Sequence, residues 1–227
     1  MIGFLRVLFL VSLLFVVTSK AEHIIVTGGP AMRKWENLRV PADRHDHWWA
    51  NFVRASTLRM DEIRTAYGPG AAIVWMVYKP CYQARGKEDS QPYTQWLPEV
   101  AAGRHITLIW FENTSDFLQK LNSRPRGSVQ SFDFFGHSNR YSFMFDYSNE
   151  IMGVSTAWLH ERDLSRINSS IFARAAYCKS WGCHTGESMS AAWKRATGVR
   201  LEGAFGPTDY TVIAQGRLPE VHGKWVR

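Results

Sequence analysis

Apolar residues along this chain fall into short runs with two different periods, separated by polar stretches containing Gly and Pro. Residues 23–27 (HIIVT), 71–78 (AAIVWMVY), 105–111 (HITLIWF), 129–135 (VQSFDFF) and 171–177 (IFARAAY) are rich in β-branched and aromatic side chains, the composition of strands. Between them, residues 46–67 place Trp49, Phe52, Val53, Leu58, Met60 and Ile63 near helical spacing, and Gly68-Pro69-Gly70 stops the pattern. Thr114 or Ser115 is the expected cap of a short helix over 116–122, broken by Pro125 and Gly127. Residues 156–167 and 186–197 read as two further helices, the second with Gly198 as its C-cap. Residues 79–102, with Pro80, Pro92 and Pro98, read as an irregular surface insertion, and 199–201 and 210–214 as short final strands.

Strands alternating with helices predict an α/β fold, a mainly parallel sheet with helices on both faces in three layers. The strands are apolar nearly end to end, as a sheet covered on both sides requires. No internal repeat interrupts the pattern, so residues 22–227 are expected to form a single domain with a full core.

The first residues follow a different rule. Arg6 precedes an apolar run from Val7 to Val17, and Ser19-Lys20-Ala21 supplies small residues at the minus-three and minus-one positions of a cleavage site. The run is shorter than the roughly 20 residues a spanning helix needs. Residues 1–21 are therefore expected to be a signal peptide, with the mature protein secreted or periplasmic and without a membrane span; an uncleaved anchor is the rival reading. Its removal takes away Arg6 and Lys20 and no acid, so the net charge of +7 falls to +5. The basic residues are scattered and form no run, which argues against a nucleic-acid partner.

In an oxidising compartment, three cysteines leave one thiol over. Cys81 and Cys183 are the expected disulfide, which leaves Cys178 unpaired; a Cys178–Cys183 bridge is the alternative. Sheets of this kind carry ligands and catalytic groups beyond the carboxyl ends of their strands. One predicted strand runs into Gly136-His137-Ser138, and the next runs into Cys178-Lys179-Ser180. If the two strands are neighbours, His137 can deprotonate the Cys178 thiol, and backbone N–H groups at Gly136 and Ser138 can form an oxyanion hole. Asp133 and Asp209 are the acids that could give a substrate pocket for Arg or Lys.

An apolar strand ending in Gly-His, followed 41 residues later by a strand ending in Cys, resembles the caspase-like cysteine peptidases, which include caspases, legumains and gingipains. The stretch from Cys178 through Gly186 to Thr197-Gly198-Val199 is similar to the Cys, Gly-rich turn and helix of bacterial members. The resemblance covers about residues 129–206. It implies a caspase-like sandwich and hydrolysis of a peptide bond through an acyl-enzyme, with Cys178 as nucleophile, His137 as base and no cofactor. That clan usually has Gly where this chain has Ser138.

Other readings compete. A catalytically inactive secreted binding domain on the same fold is the main alternative. Gly136-His137-Ser138 opens like a nucleophile elbow, but Arg140 stands where its last Gly belongs. Cys178, Cys183 and His184, and the pair His45 and His47, lack the spacing of a strong zinc site, so no metal is expected. Cys178 and Cys183 are too far apart in sequence for a C-x-x-C redox motif. Asn113-Thr114-Ser115 and Asn168-Ser169-Ser170 match the glycosylation sequon, which matters only in a eukaryotic secretory pathway.

Overall fold

The computed structural model describes residues 20–41, 44, 47–147 and 157–227. The expected signal peptide lies almost wholly outside them, as do His45 and Asp46.

The centre is a seven-stranded sheet. Its parallel strands are β1 (Glu22–Thr27), β2 (Ala72–Tyr78), β3 (Thr107–Phe111), β4 (Val129–Phe135), β8 (Phe172–Ser180) and β9 (Leu201–Phe205). The short β12 (Lys224–Val226) pairs antiparallel with β9 at one edge, and the order across the sheet is β12-β9-β8-β4-β1-β2-β3. Helices α2 (Asn51–Tyr67) and α4 (Tyr93–Gly103) cover one face, with Phe52, Met60, Ile63 and Leu97 packed on Ile25, Trp75 and Phe135. Helices α5 (Thr114–Asn122) and α6 (Met189–Thr197) cover the other, where Phe117, Leu121 and Trp193 meet Phe132, Phe134 and Cys178. The expected three-layer α/β architecture is thus present.

Several local expectations need correction. Residues 79–102 are not an irregular insertion but two helices, α3 (Lys79–Asp89) and α4. Pro80 sits in the first turn of α3 and Pro92 at the N-cap of α4, positions where a missing N–H costs little; Pro98 is tolerated inside α4. The α5 cap is Asn113, whose side chain accepts the Asp116 N–H at 2.9 Å, rather than Thr114 or Ser115. The described part of the expected helix over 156–167 is a short strand, β7 (Trp158–His160), followed by a 3-10 turn, Glu161–Arg166. The expected last strand over 210–214 is a 3-10 turn, Thr211–Gln215.

Two small sheets went unforeseen. One is antiparallel, β5 (His137–Asn139), β6 (Ser142–Met144) and β7, and the other is β10 (Thr208–Asp209) with β11 (Glu220–Val221). Both sit near the carboxyl ends of the parallel strands. Gly28 and Gly136 let β1 and β4 run into the first of them: a Cβ on Gly28 would lie 3.2 Å from the Met144 carbonyl and 3.5 Å from the Gly136 Cα.

Candidate active site

His137 lies just past the end of β4, as expected, and its ring is held by aromatic neighbours. Phe52 of α2 meets it edge-on at 5.0 Å between centroids, and Tyr147 stacks on it at 4.2 Å. Phe52 also meets Tyr210 edge-on at 5.1 Å. His137 therefore stands on the α2 side of the sheet.

Cys178 is not at a strand end. Strand β8 continues to Ser180, and Cys178 sits inside its ladder, opposite Phe132 on one side and Leu201 on the other. It is 1% exposed and belongs to the core on the α5/α6 face, with Phe132 and Trp193. Burial pushes its thiol well above the ordinary range, and the Asp133 carboxylate adds to the shift. The expected pairing of His137 with Cys178 is overturned by geometry: the two side chains lie on opposite faces of the sheet.

The reason is local. Lys179 and Ser180 look like a strand terminus but are buried. The Lys179 ammonium pairs with Glu202 at 2.8 Å and lies between the rings of Trp181 and Trp225, 3.9 and 3.8 Å from their centroids. A cation held in this way can occupy a covered strand, and β8 therefore runs three residues further than its composition suggests.

The thiol at the carboxyl end of β8 is Cys183. Its Sγ accepts the Thr208 N–H at 3.3 Å and lies 3.3 Å from the Thr208 hydroxyl, and the residue is partly exposed. The turn that carries it packs against the His137 segment. The Ser138 hydroxyl donates to the Cys183 carbonyl at 2.7 Å, and a Cβ on Gly182 would lie 2.9 Å from the Gly136 carbonyl and overlap the Ser138 hydroxyl. Only Gly at 182 allows that approach. Tyr210 completes the connection, its hydroxyl donating to the Trp181 carbonyl at 3.2 Å while its ring meets Phe52. His137 and Cys183 thus occupy the ends of neighbouring parallel strands, joined by direct contacts of the segments that bear them.

The remaining expected site residues divide. Gly136 and Ser138 are at the junction, but the Ser138 side chain fastens the two segments together rather than acting as a nucleophile. Asp133 lines no open pocket. It is fully buried, pairs with Arg59 at 3.1 Å and accepts the Trp181 indole N–H at 3.0 Å. Burial raises its pKa, and the neighbouring Arg59 opposes that. It anchors α2 and Trp181 instead of meeting a substrate. Asp209 is partly exposed beside Thr208; the Thr211 hydroxyl and N–H, the latter at 2.7 Å, hold its carboxyl below the usual range. It is the one expected pocket acid that stands near Cys183.

All three cysteines are free, so the expected Cys81–Cys183 disulfide is absent, as is the alternative Cys178–Cys183 bridge. Cys81 begins α3 beyond β2, whereas Cys183 follows β8; with β4 and β1 between them, three strand spacings amount to roughly 14 Å, about twice the Cα separation a disulfide tolerates. Cys178 does not join Cys183 and His184 in a cluster either.

The residues missed in the sequence are Cys183 as the strand-end thiol and Phe52, Tyr147 and Tyr210 as the walls. A signal for Cys183 was present: Gly182 before it and Thr185-Gly186 after it punctuate the chain more strongly than Lys179 does. Two open clefts of about 590 and 580 Å³, beside α2 at Asp61 and Arg217 and between α3 and α4, touch neither His137 nor Cys183. No protein-family model, no curated protein and no solved structure matches this chain.

Proposed function

We propose that this protein is a cysteine hydrolase, acting on peptide bonds, with Cys183 as nucleophile and His137 as general base. The observation that carries the reading is the contact of the Gly182-Cys183 turn with the Gly136-His137-Ser138 segment at the carboxyl ends of adjacent strands β8 and β4. Such a thiol is activated by transfer of its proton to an imidazole. In the acylation step, Sγ forms a bond to the substrate carbonyl carbon and the C–N bond breaks. The proton held on His137 passes to the leaving amine. Water then hydrolyses the thioester, with His137 taking its proton, and the thiol is regenerated. N–H groups of the turns around Gly136 and Cys183 are the available donors to the oxyanion.

The peptide as substrate class rests on the remaining half of the resemblance to caspase-like peptidases, the strand that runs into Gly136-His137; the cysteine of that resemblance, Cys178, lies in the core, and the proposal assigns its role to Cys183. We include secretion in the proposal: the pattern of residues 1–21 is that of an export signal, and N-terminal sequencing of exported protein should begin at Glu22.

The deciding experiment is mass-spectrometric mapping of iodoacetamide labelling on the native, unreduced protein between about pH 5 and pH 9. Cys183 should label selectively, and several-fold faster near pH 7 than it does in His137→Ala. A labelling rate unchanged in His137→Ala would exclude the dyad and favour an inactive binding domain on the same fold.

A further inference from the structure

Glu187 lies four residues after the candidate nucleophile and touches both halves of the site. One carboxylate oxygen binds the His184 ring Nδ1 at 2.5 Å and accepts the Gly206 N–H at 3.3 Å; the other lies 3.4 Å from the Arg140 guanidinium. His184 directly follows Cys183, and Arg140 directly follows β5, the strand that begins with His137. We propose that Glu187 is a positioning residue that clamps the Cys183 turn to the His137 hairpin, an inference that rests on the cysteine-hydrolase reading of those two residues.

The backbone supplies an independent reason for a clamp. His184 has φ +63°, in the left-handed region that disfavours a side chain, at the residue next to the reactive thiol. Its N–H donates to the Gly206 carbonyl at 2.9 Å and its ring is held by Glu187, so both ends of the strained residue are tied to fixed partners. The Glu187 N–H closes the turn on the His184 carbonyl at 3.1 Å. On the hairpin side, the Arg140 carbonyl accepts the Met189 N–H at 2.9 Å, so the start of α6 is fastened to the same tip that Glu187 holds by charge.

The carboxylate is suited to the task. Its side chain is only 15% exposed, and the hydrogen bond from His184 holds its pKa below the ordinary carboxylate range, so it is ionised wherever the thiol would react. Ser138 supplies a neutral second tie between the same segments. Loss of Glu187 therefore leaves the segments in contact but frees His184 and Arg140 to turn, and a misplacement of about 1 Å can cost on the order of a hundredfold in rate.

The test measures the iodoacetamide rate at Cys183 against pH in the full chain for the parent protein, Glu187→Ala, Glu187→Gln and His137→Ala, with Tm for each. The titratable and charged side chains around the thiol include His137, Arg140, His184, Glu187 and Asp209. Glu187→Ala should slow alkylation near pH 7 by roughly tenfold or more, while Glu187→Gln, which keeps an acceptor for the Gly206 N–H, recovers part of the rate. An unchanged profile in folded Glu187→Ala overturns the clamp. If Glu187→Ala does not fold, an unchanged profile in Glu187→Gln overturns it equally. If His137→Ala leaves the parent profile unaltered, the dyad itself fails; a response to His137→Ala but not to Glu187→Ala removes only the clamp.

Discussion

Replacing Cys178 by Ala separates the two candidate thiols most directly. The Cys178 sulfur is buried in the core between β8 and α6, with Phe132, Trp193 and Leu201 as core neighbours. Its removal forfeits a transfer term of roughly 1 kcal/mol and leaves a void of about 20–25 Å³, worth a further ~0.5 kcal/mol at about 24 cal/mol per Å³. The expected loss is therefore about 1.5 kcal/mol, or roughly 3–6 °C in Tm for a chain of this size. Thermal unfolding followed by circular dichroism reads that shift. In the same sample, native alkylation at Cys183 and any hydrolysis of a peptide library should stay within about twofold of the parent. Cys183→Ala should show the reverse, a small change in Tm with labelling and turnover abolished. If Cys178→Ala kept the parent Tm but lost turnover, Cys178 would have to act in chemistry, and the assignment to Cys183 would be refuted.

Three further outcomes follow from the packing. Asp133→Ala leaves Arg59 without its buried partner and Trp181 without an acceptor, and should lower stability by about 3 kcal/mol, or roughly 6–12 °C in Tm; a shift under about 2 °C would mean the pair contributes little. The Asp89 side chain is only 4% exposed, which alone would raise its pKa, but hydrogen bonds from Arg33, Tyr93 and Arg85 outweigh that and hold the carboxyl below its ordinary value. A carboxyl depressed on folding stabilises above its unfolded pKa and loses that contribution as pH falls through the folded value. The Tm gap between the parent and Asp89→Asn should thus be full near neutrality and shrink below about pH 4; a gap independent of pH would contradict it. Finally, unfolded, unreduced protein should take up iodoacetamide at all three cysteines; uptake at only one would show that a disulfide forms.

The layers of the fold were legible because the strands that form the sheet are apolar on both sides and the helices present one apolar stripe. Residues 129–135 could be read to the residue, since nothing polar interrupts the end of β4 before Gly136. The end of β8 could not. Lys179 is polar by identity, but its surroundings, Glu202 and two indole rings, come from chain segments 2 to 46 residues further on. That single misreading placed the expected nucleophile at Cys178 and consigned Cys183 to a disulfide. Helices α3 and α4 were hidden by Pro80 and Pro92, which mark helix starts rather than loops, and by Pro98, which sits inside α4. The walls of the site, Phe52, Tyr147 and Tyr210, converge from three distant segments and carry no local motif.

The charges on the α2 side of the sheet form a row of alternating sign. Arg59 meets Asp133 on β4, Asp133 stands in register with Lys179 on β8, Lys179 pairs with Glu202 on β9, and Glu202 binds Arg227 at 2.6 Å. Apolar strands of similar length can exchange places or slip along one another with little penalty, because their side chains are nearly equivalent. Here a swap of β8 with β9, or a slip by a single position, would leave a carboxylate or an ammonium under the helices without its opposite, at a cost of several kcal/mol. The row thus distinguishes the correctly assembled half of the sheet from its near copies during folding, and it does so in the strands whose ends bring the His137 and Cys183 segments into contact.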